Sequence, residues 1–168
     1  MSMLKFLNKK KNDNKGFSLV ELIIVVAIMA ILVGLLAPQY LKYVEKSRKS
    51  ADASNLDEMV RAIQIYAADA EVTLPADTYT ITIKATSTSV KATNTANTRK
   101  AKVALNENAP DWANTKLKSN KWDNGETAET RKGNATSVSA EITVAQDGGT
   151  TVKYTPASLA TYINKTAK

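Results

Sequence analysis

The longest apolar stretch of the chain covers residues 17–37, and Glu21 is the one charged side chain within it. At a helical rise of about 1.5 Å per residue, this stretch is roughly 30 Å long, the thickness of the hydrocarbon core of a bilayer. The pattern predicts a membrane-spanning helix. The residues before it are basic, which favours a cytoplasmic N-terminus; they include Lys5, Lys9, Lys10, Lys11 and Lys15 against Asp13.

Helical periodicity continues beyond Pro38, now with polar side chains mixed in. Apolar residues at helical spacing predict one buried stripe, made of Leu56, Met59, Val60, Ile63, Ala67 and Ala70. We expect the charged residues on the other faces of this helix to be solvated. The alternative is that they form ion pairs between copies of the chain. These residues are Lys42, Glu45, Lys46, Arg48, Lys49, Asp52 and Arg61. We expect one helix from residue 17 to about residue 72, roughly 80 Å long, ended by Leu74-Pro75.

Strict alternation replaces the helical period at residues 78–84, where Tyr79, Ile81 and Ile83 share one face. This pattern predicts a half-buried strand. Residues 86–100 are mostly Thr, Ser, Asn and Ala, and they predict a surface loop with an edge strand near Val90. Residues 101–105 predict another short strand.

Two tryptophans, Trp112 and Trp122, lie in the polar segment 111–132. An indole pair can form a shelf for a sugar, but indoles are more often buried. We therefore expect an irregular segment that the two side chains pin into the core.

The strongest strand pattern comes late in the chain. Val138, Ala140, Ile142 and Val144 alternate with mostly polar residues, the turn Gln146-Asp147-Gly148-Gly149 follows, and Val152 and Tyr154 alternate again. This arrangement predicts a β-hairpin. Thr155-Pro156 resembles an N-cap followed by proline at the first helical position, and it predicts a short closing helix with Leu159, Tyr162 and Ile163 on one face.

These elements predict an α+β fold, in which a long N-terminal helix packs against a small antiparallel sheet. We divide the chain into a basic leader (1–16), an apolar helix (17–38), an amphipathic half of the same helix (39–74) and a β-rich head (75–168). The head ends in the hairpin and the short helix.

The net charge of +7 does not by itself indicate a nucleic-acid partner. The leader contributes five Lys and one Asp, so the rest of the chain holds 18 basic and 15 acidic side chains. No basic cluster interleaved with aromatic residues appears, and we predict no nucleic-acid binding.

Catalytic chemistry has few candidates in this composition. The chain has no His and no Cys, which excludes a His-assisted nucleophile, a zinc site of the usual ligands and any disulfide. Neither a phosphate loop nor a dinucleotide fingerprint occurs. We predict no enzyme activity, no catalytic residues, no cofactor and no metal site.

The carboxylate of Glu21 distinguishes this apolar stretch from a plain membrane anchor, because an ionisable group in a span costs a few kcal/mol unless it has a partner. An ordinary secretory signal would end in a small-residue cleavage site. The candidate here, Leu35-Leu36-Ala37, is followed by Pro38, which a signal peptidase tolerates poorly. A lipoprotein signal would need a Cys.

The order of residues at the start of the stretch is similar to a known signal. A basic leader, then Gly16, Phe17, Ser18, Leu19, Val20 and Glu21, then a long apolar helix resemble the class III signal, or N-methylation motif, of type IV pilins and their pseudopilin relatives. The detailed resemblance covers residue 15 to about residue 39. Many pilins close a C-terminal loop with a disulfide, and this chain, without Cys, departs from that pattern.

The resemblance implies a structural subunit of a type IV pilus, and we expect a major one. It implies cleavage by a prepilin peptidase between Gly16 and Phe17 and N-methylation of Phe17, with Glu21 neutralising the Phe17 amine in its own or a neighbouring subunit. It implies a helix break at Pro38 on assembly.

The implied partners are other pilin subunits, the peptidase, the assembly machinery and, before assembly, the membrane. The implied location is a single-pass membrane precursor and then the extracellular pilus, where adhesion, motility and biofilm roles stay open. The alternatives are a minor pilin, a type II secretion pseudopilin, or a bitopic membrane protein with a binding ectodomain.

Overall fold

A computed structural model describes residues 18–69, 74–123 and 134–166 of the chain. The chain divides into two compact units, the first ending at Leu41 and the second beginning at Lys42. The first unit is helical from Leu19 onward. The second holds the hydrophobic core, and it combines helices with antiparallel strands. The predicted α+β class is confirmed.

Helix α1 spans Leu19–Ala68, 50 residues, and it contains Pro38. Its buried positions in the second unit include Leu56, Met59, Val60 and Ile63, as the apolar stripe predicts. The helix ends four residues before the predicted end. Ala70, the last residue of the predicted stripe, lies outside the described residues.

The described strands are β1 Asp77–Lys84, β2 Thr88–Ala92, β3 Trp122–Asp123, β4 Asn134–Ala135, β5 Ser137–Val144 and β6 Thr150–Thr155. The main sheet is antiparallel and has four strands in the order β2-β1-β5-β6. Tyr79, Ile81 and Ile83 of β1 are fully buried, which confirms the face predicted from alternation. β2 is an edge strand with Val90 buried, also as predicted. A second, two-stranded sheet pairs β3 Trp122–Asp123 with β4 Asn134–Ala135.

Strands β5 and β6 form the predicted hairpin. Ile142 lies opposite Val152, and Ala140 lies opposite Tyr154. In the connection, Ala145 N donates to Gly149 O (2.8 Å) and Gly148 N donates to Ala145 O (3.1 Å). Gly148 has φ +81°, in the left-handed region that glycine adopts without steric cost.

The strand predicted at residues 101–105 is wrong, because these residues belong to helix α2, Thr98–Asn108. Ala101, Ala104 and Leu105 are fully buried, and their spacing of three and four residues is that of one helical face. Val103 is 38% exposed, whereas a strand would have buried it together with its alternate neighbours. The predicted loop 86–100 is correspondingly shorter, since a 3₁₀ turn at Thr95–Asn97 leads into α2.

The closing helix α3 spans Ser158–Thr166 and buries Leu159 and Ile163, as predicted. The predicted N-cap at Thr155 is wrong. Thr155 is the last residue of β6 and lies opposite Ser139 of β5, so pairing in the sheet prevails over its local capping tendency. The Thr155–Pro156 peptide is cis.

Candidate functional site

The described part of the N-terminal motif begins at Ser18, immediately before α1. The backbone N of Ser18 donates to Oε2 of Glu21 at 3.0 Å. A Glu at the third helical position that reaches back to the N-cap amide is half of a capping box. The Ser-x-x-Glu spacing that signals this cap is visible in the sequence. Gly16 and Phe17, the predicted cleavage and methylation residues, lie outside the described residues.

The apolar surface of α1 from Leu19 to Leu36 is solvent-exposed, and Leu19 is 72% and Leu35 is 69% exposed. Isolated apolar side chains at a protein surface are ordinary, but a whole helical segment with no buried side needs a partner. By length and composition, this is the one helix among the described residues that can cross a membrane. Exposure on every face suits lipid or a bundle of like helices.

Pro38 lies inside α1, one turn before the end of the first unit. A proline at this position removes one hydrogen bond from the helical ladder and weakens the turn before it. The helix break on assembly stays a prediction. Tyr40 and Tyr43, three residues apart on the helix, are 68% and 71% exposed.

A buried carboxylate, Asp52, holds the segment that leads into β3 against α1. Asp52 is 0% exposed. Its Oδ1 accepts from Lys118 N (2.8 Å), and its Oδ2 accepts from Ser119 N (2.9 Å) and from Trp122 Nε1 (3.0 Å). Three donors offset the cost of removing the carboxylate from water. The prediction that Asp52 belongs to the solvated surface of the helix is therefore wrong.

Further contacts fasten the same segment, residues 118–122. The hydroxyl of Ser119 donates to Oε1 of Glu45, whose other oxygen lies 3.9 Å from Nη1 of Arg48. The ammonium of Lys49 lies 5.1 Å from the ring centre of Trp122. The ring of Tyr162 meets the same indole edge-on, with the ring centres 5.4 Å apart. Polar and aromatic contacts thus tie this segment to α1 and α3.

Both indoles are buried, as expected for residues that pin the core. Trp122 is 0% and Trp112 is 7% exposed, and Trp112 Nε1 donates to Asn106 Oδ1 at 2.8 Å. Trp122 has no exposed surface, so the two rings cannot together form a sugar-binding shelf.

A second carboxylate, Asp77, joins the start of β1 to the turn that follows β2. Its Oδ2 accepts from Asn94 N (3.0 Å) and Asn97 Nδ2 (2.9 Å), and its Oδ1 accepts from Thr78 N (2.7 Å). Burial acts to raise the pKa of Asp77, but these hydrogen bonds together outweigh it and hold the pKa below its ordinary value.

Two tyrosines of the sheet make hydrogen bonds through their hydroxyl groups. Tyr79 donates to Pro75 O at 2.7 Å, and burial, with the nearby charge of Asp77, raises the pKa of Tyr79 to about 12. Tyr154 lies 3.5 Å from Oδ1 of Asp57, whose other oxygen pairs with Arg61. Burial and then the charge of Asp57 raise the pKa of Tyr154 to about 12. Both phenols act as neutral hydrogen-bond donors near neutral pH.

Within the described ranges, no group of three or more acidic, His or Cys side chains is placed to hold a metal ion. Asp52, Asp77 and Asp57 have carboxylates that donors on the protein itself already satisfy. Their arrangement suits structural support.

Comparisons with known proteins agree on the N-terminal segment. A family model described as the prokaryotic N-terminal methylation motif matches residues 11–37. The chain is 44% identical over 54 residues to proteins named type IV major fimbrial protein FimA from Dichelobacter nodosus. These 54 residues make up 32% of this chain. The match spans 35% of one such relative and 34% of another, about one third of their length. No solved structure matches the chain. The chain carries the methylation motif and is similar to type IV fimbrial subunits.

Proposed function

We propose that this chain is the structural subunit of a type IV pilus, and specifically a major pilin. It is made as a membrane-anchored precursor and polymerised through its N-terminal helix into a surface filament. One observation carries the proposal: an exposed apolar helix whose first amide, that of Ser18, donates to Glu21, within a segment that matches the N-terminal methylation motif.

The membrane and the filament would both give the same helix apolar surroundings. The exposed side chains of residues 19–37 are buried in lipid before assembly and against neighbouring helices afterwards. Most apolar burial is therefore retained when the subunit leaves the bilayer, and the exchange needs little net free energy. A helix with a polar face could not make this exchange so readily.

Glu21 would favour the filament over the membrane. A lone carboxylate in lipid is costly, and an amine at the new N-terminus of a processed neighbour would supply its counter-charge. One oxygen of Glu21 is occupied by the Ser18 amide, which keeps the side chain at the start of the helix. We infer that the other oxygen receives the Phe17 amine, in its own or a neighbouring subunit.

Processing creates that amine. A prepilin peptidase would cut between Gly16 and Phe17 on the cytoplasmic side and N-methylate Phe17. The assembly machinery would then lift the mature subunit out of the membrane, with local melting of the helix near Pro38. Removal of the five-lysine leader also lowers the electrostatic barrier to leaving the cytoplasmic face.

The second unit would form the outer part of the filament. With no Cys in the chain, its segment 118–122 is held by the Asp52 hydrogen bonds and the Trp122 packing. These contacts would perform the role that a disulfide has in many pilins.

N-terminal mass spectrometry of filaments sheared from expressing cells tests the proposal. We expect the subunit to be abundant in the filaments and to begin at N-methylated Phe17. A bulky residue at Gly16 should leave the precursor uncut and the cell surface without filaments, whereas Asn14→Ala in the leader should be processed normally.

A mature chain that retains its leader and forms no filaments would instead identify a bitopic membrane protein. Presence at trace level among other subunits would identify a minor pilin or pseudopilin.

A further inference from the structure

We propose that a groove between α1 and α3 binds the phosphodiester headgroup of an anionic phospholipid while the subunit is anchored in the membrane. The groove has a volume of about 240 Å³ and is lined by Lys46 and Ser50 of α1 and by Thr161 and Tyr162 of α3. The inference rests on the membrane-anchored stage of the proposed function, and on no other part of it.

The charge around the groove is positive. Residues 42–49 carry four cationic side chains and one acidic one, Glu45. Glu45 is engaged by the Ser119 hydroxyl and by Arg48, and the next carboxylate along the helix, Asp52, is fully buried with three donors. Lys46 is exposed. It takes part in neither of the ion pairs found among the described residues, Arg48–Glu45 and Arg61–Asp57. An anion entering the groove therefore meets an ammonium that has no carboxylate partner there.

The groove also has an aromatic wall. The Tyr162 ring lines it and packs edge-on against Trp122, and the Trp122 ring carries the ammonium of Lys49 on its face. A headgroup presents a phosphate beside glycerol carbons, so it suits a site with a cation, a small hydroxyl and an aromatic edge. A free inorganic anion has no carbon surface to pack on the aromatic wall.

Chain connectivity keeps this site near the bilayer. Lys46 follows Leu41, the last residue of the apolar unit, by five residues, which span at most about 18 Å even when fully extended. The Debye length at physiological salt is about 8 Å. Lys42, next to Leu41, therefore lies within one Debye length of an anionic surface at the end of the span. Lys46 lies within roughly two, where part of the surface potential remains.

The position of the basic residues supports a lipid partner. Lysines close to the exported end of a span oppose the orientation that the leader lysines favour. The four cations of residues 42–49 all follow Pro38 closely, on the exported side of the apolar stretch. Attraction to anionic headgroups on that side would compensate for this opposition.

A photo-crosslinking experiment tests the inference on the full-length chain. Asn164, an exposed residue one turn beyond Thr161 on α3, is replaced by benzoylphenylalanine. The protein is reconstituted into vesicles of phosphatidylethanolamine with about one fifth phosphatidylglycerol, which supplies the anionic surface. The vesicles are irradiated, and lipid adducts are analysed by mass spectrometry. We expect phosphatidylglycerol to be enriched in the adducts at least about threefold over its share of the bilayer, as charge attraction near the surface requires.

Charge variants provide the matched controls. Lys46→Gln should return the adducts to the bulk lipid composition, while Lys102→Gln, on the exposed side of α2, should leave the enrichment unchanged. The same probe at Ile65, exposed further along α1, should give few lipid adducts. Circular dichroism of each variant confirms that it is folded.

Three outcomes overturn the inference. Adducts that match the bulk lipid composition would show that the groove does not select anionic headgroups. Enrichment that survives Lys46→Gln would show that another feature is responsible. Adducts with a second copy of the chain in place of lipid would assign the groove to a contact between subunits. Flotation of the vesicles separates these results from a failure of the proposed function, because a chain that does not float with the vesicles is not anchored at all.

Discussion

The indole Nε1 of Trp122 donates to Oδ2 of Asp52 at 3.0 Å, and neither residue has any exposed surface. Seventy residues separate the two along the chain, so their contact fixes segment 118–122 to the long helix. In a protein without disulfides, such a contact is expected to contribute strongly to the stability of the second unit.

The first prediction is that Asp52→Asn destabilises the fold by about 3 kcal/mol. An amide has one acceptor oxygen, so at least one of the three donors now bound to Asp52 would lose its partner in the core. Chemical denaturation of the full chain in detergent, followed by tryptophan fluorescence, measures the change. Asp111→Asn makes the same substitution at an exposed position and should leave the stability unchanged. Equal stability of the two variants would contradict the structural role of Asp52.

The second prediction concerns the hairpin. Val144 is 3% exposed and lies opposite Asp77 and Thr150 in the sheet. Val144→Asp would bury an unpaired charge at a cost of several kcal/mol, about the whole stability of a small domain. The variant should lose its cooperative thermal transition. Thr143→Asp, one residue earlier on the exposed face, should melt close to the parent. The opposite ranking would mean that the strand register is shifted by one residue.

The hairpin and the long helix could be predicted from the sequence because their signals are local. Alternation over residues 138–144 and a 3.6-residue period over residues 56–63 each identify one element and one buried face. Helix α2 could not be predicted in this way, because Ala101, Ala104 and Leu105 fit both a short apolar run and a helical face. Its burial in the core, rather than its own pattern, decides between the two.

The environment of Asp52 could not be predicted for a different reason. Its donors are backbone amides and an indole 66 to 70 residues away, and nothing in the residues next to Asp52 distinguishes it from the exposed charges of the same helix. The hydrogen bond from the Ser18 amide to Glu21, in contrast, follows from the local Ser-x-x-Glu spacing.

The third prediction concerns the turn of the hairpin. Gly148 has φ +81°, and a Cβ at this position would lie 3.1 Å from the carbonyl oxygen of Ala67 near the end of α1. Gly148→Ala should cost about 1–2 kcal/mol through backbone strain and this close contact. Asn tolerates the left-handed region better, so Gly148→Asn should recover part of the loss. If Ala and Asn are equally destabilising in thermal melts, the contact with Ala67 dominates. If neither changes the melt, the turn is not held as described.

The fourth prediction is a loss of stability in acid that depends on Asp77. Its folded-state pKa is lowered from 3.8, so the unfolded chain binds the proton more tightly. The stabilisation is therefore complete above a pH of about 4 and is lost as the pH falls through the folded-state pKa. Denaturation of the parent and of Asp77→Asn should differ at about pH 6, and the difference should shrink below about pH 4. Asn97→Ala, which removes one donor, should reduce the pH effect. A difference that stays constant from about pH 6 to about pH 3 would rule out this role for Asp77.

The last prediction concerns Glu21 and separates its two roles. The carboxylate caps α1 through the Ser18 amide, and in the proposed filament it also neutralises the Phe17 amine. Glu21→Gln keeps an oxygen that can accept from Ser18 but removes the charge, whereas Glu21→Ala removes both. If the charge sets the register between subunits, both variants should insert in the membrane and be processed normally. Both should lower the yield of sheared filaments by about tenfold or more, because apolar helices slide against one another at little cost without a paired charge.

The measurement compares filament yield with the amount of processed subunit in the membrane. Normal filaments from Glu21→Gln together with few from Glu21→Ala would assign the effect to the helix cap. Normal filaments from both would remove Glu21 from the assembly mechanism.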